Sequence, residues 1–152
     1  MNYIDLLITH SYYRWLVLLL LFIQFVWIWR HKNLNSIYTS THFKIHLFIT
    51  SLINIQLLIG WILFFNSPLA MGFWEQLPSS LKHRQFRFFG LEHMSMMSLG
   101  IFLSNIYCFK AYQYIGTKYF KKLWIPYLWI YFILLSSIPW SFSPLTSRPN
   151  FR

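Results

Sequence analysis

Four stretches of the chain, 12–29, 47–65, 86–109 and 119–140, are long and apolar enough to cross a bilayer, and few folds other than a helical membrane bundle can absorb them. A helix rises 1.5 Å per residue, so about 20 residues span the roughly 30 Å of hydrocarbon. The stretches predict an all-α chain, an antiparallel four-helix transmembrane bundle with short connections, forming one integral membrane domain over 1–152. Hydrophobic residues make up 57% of the chain and charged residues 11%, which leaves no room for a separate soluble domain.

The connections carry the usual stop signals. The segment 30–46 offers Asn33, Asn35, Ser36, Ser40 and Thr41 for loops and caps. The segment 66–85 opens with Asn66-Ser67-Pro68, which ends a helix, and 110–118 contains Gly116. The tail 141–152, with two prolines, is expected to be irregular. Asn2, Asp5 and His10, rather than a basic leader, precede the first stretch, and no small-residue cleavage site follows it, so it reads as a retained span.

The formal charge of +10 arises from 13 basic residues against 3 acids. Most of the basic residues flank the apolar runs, where they reach headgroups and anionic lipid, so the expected partner is the bilayer and not nucleic acid. Arg30, Lys32, Lys44, Lys110, Lys118, Lys121 and Lys122 fall in or beside the first and third connections. Lys82, Arg84, Arg87, Arg148 and Arg152 fall on the other side, with Arg14 at its boundary. The positive-inside rule then predicts both termini outside. The lone Cys108 excludes an intramolecular disulfide and a cysteine metal cage.

Two ionisable pairs enter the apolar runs: His10 with Arg14, and Glu92 with His93. Each charged residue placed in hydrocarbon costs about 2.5–3.5 kcal/mol on insertion scales, so such residues pair, line a pore or hold a bound group. In an up-and-down bundle Arg14 and Glu92 reach similar depth, which allows a structural salt bridge with the histidines as hydrogen-bonding neighbours. Alternatively, His10 and His93 face each other as ligands to a metal or haem iron. Helical spacing places His10, Arg14, Leu21 and Gln24 on one inward face, His42, His46, Thr50 and Asn54 on a second, and His93, Met97, Gly100 and Ser104 on a third. His42 and His46 have the i, i+4 spacing of a metal clamp without a third donor, and Met94, Met96 and Met97 are soft donors or core fillers. Asp5, Glu75 and Glu92 are the only acids, and no self-sufficient catalytic constellation is visible.

His10-Ser11 with Arg14, then Ile55-Gln56-Leu57-Leu58-Ile59-Gly60, then Phe88-Phe89 with Glu92-His93 and Met97, then Ser137-Ile138-Pro139-Trp140, together resemble a family of small four-span bacterial membrane proteins labelled cytochrome b-like. The resemblance implies a multi-pass protein of the bacterial inner membrane and points to His10, Arg14, Glu92 and His93. The leading expectation places haem b near the outer face, held by His10 and His93, with Arg14 balancing a propionate or the Glu92 carboxylate and Glu92 orienting an imidazole. The family pattern usually carries a histidine before Ile-Gln-Leu-Leu, where this chain has Asn54, a poor ligand for iron. The leading expectation is an electron-transfer protein or a subunit of a membrane redox complex, with other subunits as partners. A non-catalytic assembly subunit with a buried ion-pair network is the rival, and quinone or copper binding also stays open.

Overall fold

The computed structural model describes residues 2–140, and the expectation for the tail lies outside them. The described residues form helices and turns with no strand among them. Four long helices, α1 (Tyr3–Asn33), α2 (Ser40–Phe65), α5 (His93–Ala111) and α6 (Phe120–Ser136), make the body. Two short ones, α3 (Pro68–Glu75) and α4 (Arg84–Arg87), lie between α2 and α5.

The helices run further than hydropathy marks, because capping and not lipid depth decides where they start. Asn2 accepts the Asp5 N–H at 2.8 Å while the Asp5 carboxylate accepts the Asn2 N–H, a capping box that begins α1 at Tyr3. Thr39 and His42 form the same reciprocal arrangement at the start of α2. The expected polar loop 30–46 is therefore mostly helix, and only 34–39 connects α1 to α2. Pro68 follows the Ser67 cap within the first turn of α3, where its missing N–H costs nothing.

Side-chain pairings fix an antiparallel ring. Trp27 of α1 meets His42 of α2 and Phe120 of α6, while towards the start of α1 the Tyr13 hydroxyl donates to the Leu52 carbonyl at 3.2 Å. Asn54 of α2 pairs with Asn105 of α5, and Gly100 of α5 lies against Leu134 of α6. Each long helix thus packs on its two neighbours in the order α1, α2, α5, α6, leaving α1 and α5 on a diagonal. The end where α1 begins is the upper end below; α2 and α5 have their connection there.

Apolar side chains such as Leu21, Ile28, Ile53, Ile101 and Leu123 fill the interior, but Gln24, His46, Thr50 and Ser104 are buried with them. The outer faces also carry large apolar side chains, with Phe22, Phe48, Leu58, Phe102 and Phe132 all exposed. Two helices, α1 and α2, are long and apolar enough to cross a membrane. Of the other two spans expected from the sequence, α6 has only 17 residues and α5, with 19, is diluted by Ser95, Ser98, Ser104 and Asn105, so neither qualifies by length and composition.

Two glycines mark close approaches. A Cβ on Gly90 would lie 2.4 Å from the Phe73 Cβ, whereas one on Gly100 would lie 2.7 Å from a Leu134 methyl that can swing aside. Gly90→Ala is expected to destabilise the protein by about 1–3 kcal/mol through overpacking. Gly100→Ala should cost less, because about 1 kcal/mol of helix propensity is regained; thermal unfolding in detergent separates the two. The Asn54–Asn105 pair exchanges two amide bonds of 2.8 and 2.9 Å. A double-mutant cycle through Asn54→Leu and Asn105→Leu should return a coupling of about 0.6–1.7 kcal/mol.

Candidate functional site: a cavity in the upper half of the bundle

Polar side chains converge on a cavity of about 160 Å³ between the long helices. His10, Ser11 and Arg14 reach it from α1, Gln56 from α2 and His93 from the first turn of α5; Leu18, Leu57, Met97 and Ile138 supply apolar wall. Leu21, Ile53, Ile101 and Leu134, one from each long helix, line it where it meets the buried core. His10, Arg14 and His93 lie within electrostatic reach of one another. The structure therefore brings together three of the four residues singled out in the sequence.

Glu92 is the exception. Its carboxylate accepts a 2.6 Å bond from Arg87 Nε–H, while Arg87 Nη1–H donates to the Leu81 carbonyl at 3.0 Å. The salt bridge expected between Arg14 and Glu92 is replaced by this one, about 40% exposed on each side. The cause is local: Phe88–Glu92 is a π-helical turn, which brings residues five apart into line, so Arg87 lies beside Glu92. Nothing in an α-helical reading, where partners stand three or four apart, would have found that pair.

The two histidines present different chemistry. His93 Nδ1–H donates to the Ser137 carbonyl at 2.6 Å. A carbonyl only accepts, so Nδ1 carries the proton and Nε2 keeps its lone pair. The Gln56 amide nitrogen donates to the His10 carbonyl at 3.1 Å and to His10 Nε2 at 3.3 Å. The proton of His10 is then on Nδ1, which is buried and has no hydrogen-bond partner among the described residues. Gly60 makes room for this ring: a Cβ there would stand 3.3 Å from His10 Cε1. Arg14 lies over the Trp15 ring, 5.6 Å from its centroid. Gln56, Gly60 and Ser137 complete the site without having been read as part of it.

Haem b fits this arrangement poorly. Neutral imidazole is the right donor, and His93 Nε2 is held as a ligand would be. However, His10 Nε2 is turned onto Gln56, and the cavity matches apolar cavities of about 150 Å³ that take a single benzene ring rather than a macrocycle. The His42–His46 clamp does not form: His42 caps α2, and His46 is buried between Tyr38 and Tyr127. No group of three or more His, Cys, Asp or Glu side chains able to hold a metal occurs among the described residues. Comparison of the chain with protein-family models, curated proteins and solved structures finds no match.

Proposed function

We propose that the chain is a four-span membrane protein that binds the ring of a quinone-type lipophile in its upper cavity, as a non-catalytic subunit of a membrane redox system. The support for four spans is that α5 and α6 expose Phe102, Phe109, Trp129 and Phe132 on their outward faces, a surface suited to lipid and not to water. The excess of basic residues at the lower end supports a reading in which that end faces the cytoplasm and the cavity lies in the outer leaflet of the inner membrane.

The carrying observation is the juxtaposition of His93 Nε2, a lone pair, with His10 Nδ1–H, a donor without a partner among the described residues, on diagonal helices around a cavity of single-ring size. A quinone carbonyl accepts hydrogen bonds, which Arg14 and His10 donate; a quinol hydroxyl donates one, which His93 Nε2 accepts. The apolar walls take the ring and the start of its tail. The rival reading as a buried ion-pair network loses its founding pair, because Glu92 is committed to Arg87 near the surface.

Solvent extraction of protein purified in mild detergent should yield quinone in near-stoichiometric amount. Quenching of tryptophan fluorescence by a short-tailed benzoquinone should saturate, and both His93→Ala and Arg14→Gln should weaken binding about 10-fold or more, the loss of a hydrogen bond worth about 1.5–3 kcal/mol. Absence of quinone and of saturable quenching overturns the reading. A Soret band abolished by His93→Ala would replace it with the haem b assignment.

A further inference from the structure

Beneath the cavity the interior changes character in a regular way. Leu21, Ile53, Ile101 and Leu134 form an apolar layer. Three positions further down each helix, on the same face, stand Gln24, Thr50, Ser104 and Tyr131, a polar layer with one member from every long helix. Such a layer is costly in a packed core unless it is hydrogen-bonded or hydrated.

From this layer a hydrogen-bonded run of Ser104, Tyr127, His46 and Tyr38 leads towards the lower end, where the rings of His42 and His31 stand beside it. Ser104 and the Tyr127 hydroxyl are 3.3 Å apart, and Tyr127 bonds His46 Nε2. His46 Nδ1 is 3.0 Å from the Tyr38 hydroxyl. The Tyr38 ring lies 5.9 Å from that of His42, which stands 4.9 Å from His31. His46, Tyr38 and Tyr127 are fully buried, whereas His42 and His31 reach the surface in part. Five of the six histidines, His83 excepted, therefore lie either in or beside this run or at the cavity above it.

We infer that the bundle interior carries protons between its lower end and the upper cavity along His42, Tyr38, His46 and Tyr127, with the layer of Leu21, Ile53, Ile101 and Leu134 as its gate. In neutral His46 one ring nitrogen donates and the other accepts, so one tyrosine receives a proton as the other gives one. Each proton taken up at one nitrogen is matched by one released from the other, which leaves His46 in its other tautomer; a flip of the ring together with rotation of the hydroxyls resets the chain. Gln24 is fully buried and neither its amide oxygen nor its nitrogen has a partner among the described residues. Its amide seats a water that continues the path to the apolar layer. That layer is about one turn, roughly 5 Å, thick, and such constrictions gate by wetting and drying. Tyr119, Tyr131 and Cys108 are the further titratable neighbours; none of them is an acid or base that would trap the proton at neutral pH.

The inference rests on the four-span reading but not on which molecule fills the cavity. The full chain is reconstituted into vesicles holding a trapped pH dye, carbonate extraction verifies insertion, and a valinomycin potential drives proton entry. Wild-type vesicles should acidify faster than protein-free ones. His46→Gln, which can still bond both tyrosines but cannot shuttle a proton, should cut the protein-dependent flux about 100-fold, the lower end of what a positioned proton carrier contributes. Tyr127→Phe should act in the same direction. Inserted protein with flux no greater than empty vesicles, or His46→Gln conducting like wild type, overturns the inference alone. Protein stripped by carbonate removes the four-span reading and the inference with it.

Discussion

Large apolar side chains cover the outward faces of the bundle as well as its interior, so the polar side chains that bond from helix to helix set how each helix is rotated. Burial of Leu, Ile and Phe cannot choose between rotations when all faces carry them. Hydrogen bonds can. Asn54 ties α2 to Asn105 of α5, His46 ties it to Tyr127 of α6, and Gln56 ties it to the His10 carbonyl of α1. His93 adds the closure of α5 onto the end of α6 through the Ser137 carbonyl. With these contacts in place the apolar residues fill space; without them the ring has no defined register.

The π-turn at Phe88–Glu92 is where that logic meets the site. An uninterrupted α-helix through this stretch would shift the register of every residue after it by about one position, and so turn α5 relative to its own beginning. With the turn, Glu92 lies beside Arg87 while His93 faces the cavity. Gly90 lets the turn press on Phe73 of α3, and the Ser80 hydroxyl donates to the Phe73 carbonyl at 2.7 Å, so the connection between α2 and α5 is anchored over the upper end. The anion therefore stays partly in solvent, and the cavity keeps Arg14 and two imidazoles.

The features legible in the sequence were those carried by composition and by spacings of three and four. Four apolar stretches gave the helices, and the inward faces through Gln24, through His46 and Thr50, and through Gly100 and Ser104 are the ones buried. Helix starts were not legible, because Asn2 with Asp5, and Thr39 with His42, act by local hydrogen bonding that a hydropathy window ignores. The partner of Glu92 was hidden by a π-turn that no residue type announces. Gln56, Gly60 and Ser137 stand in the motifs that carry the resemblance, but their roles were not legible: two act through small size or a backbone carbonyl, and the third through an amide that is common in any loop or core. Site chemistry built from backbone leaves little trace in side-chain identity.

Asn54 shows how the two polar regions are kept apart. It lies next to Ile53 of the apolar layer, and its amide is paired in both directions with Asn105. A histidine here would place a titratable ring between the cavity and the polar layer. An amide pair satisfies its own donors and acceptors and holds α2 against α5 without ever changing charge. The imidazoles of the bundle thus stand above and below the apolar layer and not within it, and on the inferred path a proton crosses only when that layer admits water. An amide where an imidazole would be a candidate iron ligand also leaves the layer without a titratable group.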